Sequence, residues 1–196
     1  MTRVPLVPPD ADIPVLQQID AGSRERGYAV LDIYRVLAHR PSLLEAFSGL
    51  GYAMPIGEDG GDLSIGRVTM ELVVMRIAEQ TGSAYELAHH EPVSLAVGVS
   101  QEQLDALPTW QLSGLFSDRE RAALAMTDAL IAGPDVPTQV FDRCAELFDT
   151  VELVELVLLA SWYCCIVRFC GALDLDVEAD HEEYVRAWAA VASDRS

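Results

Sequence analysis

Basic residues are scarce: 13 Lys plus Arg stand against 31 Asp plus Glu, for a formal charge of −18 over 196 residues. No stretch is rich in Lys or Arg. Duplex DNA and anionic membranes would repel such a surface, which excludes nucleic acid and membrane as expected partners. The acidity itself reads as a solubility device. Aromatics make up only 7% of the chain, while Ala and Leu are abundant, a balance that favours helices over a sandwich of strands. The four cysteines, Cys144, Cys164, Cys165 and Cys170, match no metal or disulfide spacing. Cys164 and Cys165 are adjacent on a helix and point different ways, so all four read as core thiols in a reducing cytoplasm. The start, MTRVPLVPPDADIP, has Pro and Asp where a leader's apolar region would stand, so no secretory leader is expected. The longest apolar stretch runs from Leu156 to Val167 between Glu155 and Arg168. That is too short to span a bilayer and predicts a buried core helix.

Against these absences stand 51% hydrophobic and 22% charged residues, the balance of a globular chain long enough for one domain. Residues 1–20 read as a Pro-rich arm that drapes over a neighbour, and 21–196 as a single helical domain. Apolar positions Val30, Ile33, Tyr34 and Leu37 recur at helical spacing, and Pro41 starts a second helix through Leu50. GEDGGD (57–62) is loop chemistry. An amphipathic pattern from Ser64 to about Gln80 ends at Thr81-Gly82. Ser83-Ala84-Tyr85-Glu86 then opens the next helix as a Ser-x-x-Glu capping box; it pauses or continues at Pro92 and stops before Gly98. Further helices are predicted over 101–106, from Ser117 to Ile131, over Thr138–Phe148 and Val151–Leu173, and over roughly 178–192. No strand is expected. Glu71-Leu72-Val73 and Glu155-Leu156-Val157 form a faint internal echo, as two duplicated helical hairpins would.

One constellation can carry chemistry. Ser83, Glu86 and His90 share one face of a helix, at i, i+3 and i+7. A hairpin turn at Thr81-Gly82 brings Glu71 back to that face. Two carboxylates, a hydroxyl and an imidazole then converge at a helix N-terminus, and a carboxylate that orients a His is the usual preparation for acid/base work near neutral pH. Each member also has a plainer role. Ser83 and Glu86 are explained by the capping box, Arg67 one turn before Glu71 is its natural partner, and Tyr85 either offers its hydroxyl to the pocket or fills core. His89 points about 100° away from His90, towards a subunit contact. A metal is not expected, because Glu86-x-x-His89 is half of a di-iron pattern that has no second half here.

These residues resemble a family. Glu71-Leu72-Val73-Val74-Met75-Arg76-Ile77-Ala78, followed by Gly82-Ser83-Ala84-Tyr85-Glu86-Leu87-Ala88-His89-His90, is similar to the core of carboxymuconolactone decarboxylase and alkylhydroperoxidase-D-like proteins. Ile33 to Pro41, Gly98-Val99-Ser100, Phe116 to Glu120 and Val154-Glu155-Leu156 leading to Tyr163 and Arg168 extend the likeness over roughly residues 30–180. The resemblance implies an all-α, AhpD-like bundle of antiparallel helical hairpins, assembled as a trimer or hexamer with its pocket near an interface. In the family's peroxidase branch a Cys-x-x-Cys pair works with a His and a Glu. Laid over this chain, the two Cys fall on Ser83 and Glu86, the His on His90 and the Glu on Glu71, so the proton-handling positions are kept and both sulfurs are gone. Hydroperoxide reduction needs a low-pKa thiolate and a resolving thiol. The decarboxylase branch instead implies cofactor-free decarboxylation of a carboxylated lactone.

The expectation is therefore a cytoplasmic, cofactor-free acid/base enzyme acting on a small carboxylated or enolisable molecule. His90, Glu71 and Glu86 are its catalytic candidates. Ser83, Tyr85, Arg67, Arg76 and Arg168 are the substrate-binding ones, an arginine being needed to hold a carboxylate. Two rivals stand beside it: a thiol-dependent peroxidase using Cys164, Cys165 or Cys170, and a catalytically silent homo-oligomer.

Overall fold

A computed structural model describes residues 2–54 and 63–194, and among them there is no strand. Ten α-helices follow in order: α1 (Pro14–Glu25), α2 (Asp32–Leu37), α3 (Pro41–Ala53), α4 (Arg67–Thr81), α5 (Ala84–Val97), α6 (Gln101–Ala106), α7 (Asp118–Ala132), α8 (Thr138–Leu147), α9 (Thr150–Leu173) and α10 (His181–Asp194). A short 3₁₀ segment, Leu107–Leu112, joins α6 to the loop before α7. The GEDGGD loop at 57–62 lies outside the described residues.

The helix ends are set by local chemistry. Gly82 takes φ 66°, a left-handed conformation that ends α4 without a Cβ clash, and Ser83 caps α5 immediately after it. Reciprocal capping boxes start α6 (Ser100 with Gln103), α7 (Ser117 with Glu120) and α9 (Asp149 with Glu152). α5 runs unbroken through Pro92 to Val97.

Three expectations change here. The N-terminal arm is shorter than residues 1–20, because Pro14, at the first helical position, starts α1. The stretch before it is tied to its own chain: the Arg35 guanidinium donates to the Val7 carbonyl at 3.0 Å, the His39 ring to the Pro5 carbonyl at 2.7 Å, and the Arg3 N–H to Leu173 at 2.8 Å. Second, α4 is not amphipathic in its surroundings. Every residue from Thr69 to Ala78 is buried, because α5, α7 and α9 cover it on all sides. Third, the apolar run in 156–167 belongs to a 24-residue helix, α9, long and apolar enough to cross a membrane by length and composition alone. In this fold α9 is a core helix, with Leu156, Leu159, Ala160 and Tyr163 packed on α4 and α7.

The largest apolar cluster lies where α4, α7 and α9 meet. A second cluster joins α5 to α10 through Val93, Ala96, Tyr184 and Trp188. Between these clusters and α1 to α3, the α4–α5 hairpin places its polar residues at the edge of a cavity.

Candidate functional site

The hairpin turn at Gly82-Ser83 brings α4 back along α5, and Glu71 meets His90. The two side chains are hydrogen-bonded, His90 Nδ1 to Glu71 Oε2, at 2.8 Å. A carboxylate oxygen on Nδ1 assigns a proton to that nitrogen and leaves Nε2 as the working atom. Nε2 faces the Tyr163 hydroxyl of α9 at 3.2 Å and Glu86 Oε2 at 3.5 Å. The Tyr163 ring stands edge-on to the imidazole at 5.2 Å. Glu71 is fully buried, and its other oxygen lies 3.6 Å from Arg67 Nη2. Glu86 Oε1 accepts from the Cys170 thiol at 3.6 Å.

The electrostatics follow from this packing. Burial favours the neutral form of His90, but the charge and hydrogen bond of Glu71, helped by Glu86, outweigh it and hold the imidazole's proton above the ordinary histidine range. Burial also lifts the Glu86 carboxyl above its usual value, although His90 and His89 pull the other way. Burial, with the charges of Glu71 and Glu86, keeps Tyr163 a phenol far above its normal range. The centre therefore holds exchangeable protons near neutrality, and Nε2 is the imidazole atom placed to pass one on.

Glu86, His90, Tyr85 and Tyr163 line a cavity of about 510 Å³. Its walls are largely aromatic: Tyr34, Phe47, Trp162, Tyr184 and Trp188. Arg26, at the C-terminal end of α1, is the arginine among its lining residues.

Several expected roles change. Ser83 does not line the cavity; its hydroxyl accepts from the Glu86 backbone N–H at 3.4 Å, as an N-cap. The predicted box is only half formed, because the Glu86 side chain turns into the core, where His90 and Cys170 are its neighbours, and the Ser83 N–H goes to the Ala78 carbonyl instead. Arg76 is a structural cation, buried and held by Asp128 at 2.6 and 3.1 Å, Glu79 at 2.9 Å and the Leu107 carbonyl at 2.8 Å. Arg168 lies on the exposed side of α9 with its guanidinium on the Cys164 carbonyl of its own helix. Neither lines the cavity, nor does Arg67, which faces Glu71. Tyr85 lines it, but its hydroxyl is committed, accepting from the Ile33 N–H at 3.2 Å and donating to Glu178 at 2.8 Å. His89 is buried within this chain against Glu178 rather than facing outward.

Sequence reasoning missed three contributors. Tyr163 was visible only as part of a resemblance, and Arg26 and Glu178 not at all. Each lies on an element remote in sequence from α4 and α5, so no periodicity connects them.

The carboxymuconolactone decarboxylase family model matches residues 41–129, which hold Glu71, Ser83, Glu86 and His90. YdfG, an uncharacterized protein of Bacillus subtilis, is 30% identical over 100 residues, half of this chain and 68% of its own length. Among solved structures, a peroxidase-related protein with an alkylhydroperoxidase AhpD core from Ralstonia eutropha superposes with a TM-score of 0.73 at 18% identity, covering 92% of this chain and 94% of its own. The debrominase Bmp8 with 2,3,4-tribromopyrrole superposes at 0.74 with 20% identity, covering 96% of this chain and all of its own. At these identities the two structures share the fold.

Proposed function

Because this chain belongs to the carboxymuconolactone decarboxylase family, we propose that it is an acid/base enzyme acting on a small conjugated or enolisable organic acid, with His90 as the proton-transferring group. The observation that carries this reading is the placement of His90: its Nδ1 is fixed by buried Glu71, while its Nε2 stands between Tyr163 and Glu86 at the edge of an aromatic cavity.

In this mechanism the substrate's carbonyl conjugation holds the electron pair released when a carboxylate leaves as CO2 or a C–H proton is removed. Nε2 delivers or accepts the proton at carbon, Glu71 stabilises the imidazolium, and Glu86 shares the proton on the cavity side. Tyr163 orients the ring through its hydroxyl. Arg26 takes the role first sought from Arg67, Arg76 and Arg168, meeting the substrate's anionic end at the cavity wall. All 13 of the Lys plus Arg residues are arginine, so a lysine Schiff base has no residue to form on. The aromatic walls suit a flat ligand; the fold neighbour Bmp8 was solved with such a ring.

The thiol route finds no cysteine at the cavity: Cys164 and Cys170 are buried outside its lining, and the exposed Cys165 lies outside it too. Burial pushes the Cys144 thiol up to about 11 and the Cys170 thiol higher still, aided by Glu86, so neither is a thiolate near neutrality.

The test is solvent-deuterium incorporation and CO2 release from a panel of carboxylated lactones and enolisable acids, followed by NMR. The native protein should exchange or decarboxylate at least one of them, and His90→Ala should lose the activity by a hundredfold or more. A His90→Ala protein that retains full activity overturns the reading.

A further inference from the structure

His89 is 3% exposed, and both its ring nitrogens face acceptors. Nδ1 lies 2.7 Å from the Tyr85 carbonyl and Nε2 lies 2.7 Å from Glu178 Oε2. A carbonyl oxygen carries no proton, so Nδ1 must donate. In the neutral ring Nε2 is then a lone pair aimed at a carboxylate oxygen, an arrangement that requires a proton or another cation between the two atoms. The carboxylate is fixed on its far side, since Glu178 Oε1 accepts from the Tyr85 hydroxyl at 2.8 Å and from the Asp32 backbone N–H at 2.7 Å.

A third donor stands beside them. His181, the first residue of α10, has a buried Nδ1 without a hydrogen-bond partner. Its ring lies 4.9 Å from that of His89, nearly perpendicular at 72°. One ligand atom from each of His89, Glu178 and His181 lies within 4.8 Å of the others.

We propose that His89, Glu178 and His181 form a binding site for a zinc-type divalent cation, separate from the His90 centre. Two imidazoles and a carboxylate are a donor set favoured by Zn²⁺ and Co²⁺, with a fourth position left to water. Bonds of about 2.0–2.2 Å place tetrahedral donors about 3.4 Å apart, so the His89–Glu178 pair, now at 2.7 Å, opens by about 0.7 Å, while the widest separation in the cluster, at most 4.8 Å, closes by about 1.4 Å. A rotation of His181 at the start of its helix supplies the closure, and small turns of the His89 and Glu178 side chains supply the opening. The outer contacts that hold metal ligands are already in place: the Tyr85 carbonyl sets the proton of His89 on Nδ1, and the Tyr85 hydroxyl and the Asp32 N–H orient Glu178. A bound ion would pin α10 to α5. Because α10 supplies Tyr184 and Trp188 to the cavity wall, the ion would fix that wall without touching the reacting atoms.

The experiment uses the full chain stripped with a chelator and titrated with Co²⁺, followed by visible absorption and calorimetry, with Zn²⁺ in competition. One equivalent of Co²⁺ should bind with a tetrahedral spectrum. Zn²⁺ at a hundredfold excess over its Kd should raise Tm by about 5–10 °C. His181→Ala, whose metal-free Tm and circular dichroism report its folding, should bind at least tenfold more weakly, and Glu178→Gln likewise. Absence of heat and of absorption at millimolar metal overturns the proposal. So does native affinity in His181→Ala, or binding that is lost in His90→Ala but kept in His181→Ala.

Discussion

Replacing Glu71 with Gln keeps the shape of the side chain and removes its charge, which makes it the sharpest probe of the candidate centre. Glu71 is fully buried and hydrogen-bonded to His90 Nδ1 at 2.8 Å, and His90 has only 12% of its side chain exposed. Opposite unit charges with centres about 4 Å apart attract by about 4 kcal/mol at an effective dielectric of about 20. The Gln amide still accepts a hydrogen bond worth about 1 kcal/mol, so the expected loss of stability is about 2–4 kcal/mol while His90 is protonated. The pH dependence has a definite sign. The folded pKa of His90 is raised above its ordinary 6.5, so the stabilisation is complete below that value and is lost as pH climbs through the raised folded value. Urea unfolding of the native protein and Glu71→Gln at about pH 6 should differ by the full amount, and at about pH 9 by less. In parallel, the His90 imidazole followed by NMR should titrate at lower pH in the variant, because burial is then opposed by Glu86 alone among the nearby carboxylates. Equal losses at both pH values, or an unmoved His90 titration, would refute the pairing.

Three other outcomes follow from the same geometry. Arg76→Met should cost about 3–5 kcal/mol by stranding Asp128 and Glu79, read by urea unfolding, and Arg26→Ala should raise KM for an anionic substrate about tenfold. Thiol labelling of the folded protein with a neutral disulfide reagent should find one fast cysteine, the exposed Cys165; rapid labelling of Cys144 or Cys170 would contradict their burial. The self-association expected from the sequence would use the exposed stripe Val151, Val154 and Leu158 of α9 against a second copy, so Leu158→Asp should lower the mass seen by light scattering, and a monomeric native protein would dismiss that interface.

Much of the fold is legible because its punctuation is local. Gly82, Ser100, Ser117, Asp149 and Pro41 mark helix ends by chemistry contained within a few residues, and those boundaries agree with the sequence reading to within one or two positions. The arm is misjudged because its prolines hide a helix start at Pro14, and the surroundings of α4 because three neighbouring helices bury even its polar face. The arginines show the same limit at the site. Arg76 sits one turn from the motif and reads as a substrate clamp, yet Asp128 on α7, far along the chain, claims it.

His89 and His90 show where the boundary falls. Neighbours on a helix point about 100° apart, so the sequence alone assigns them to different faces and links His90 to Glu71 through a two-residue turn. It cannot name Glu178, whose contact with His89 closes a loop of 89 residues. What Glu86 does is settled in the same way. Its spacing from Ser83 satisfies a capping rule that would place its carboxylate at the helix end. Packing against α9 instead draws the side chain inward, between His90 and Cys170. A local motif of about 1 kcal/mol is thus overridden by a tertiary one, and the carboxylate it releases is the second acid of the candidate centre.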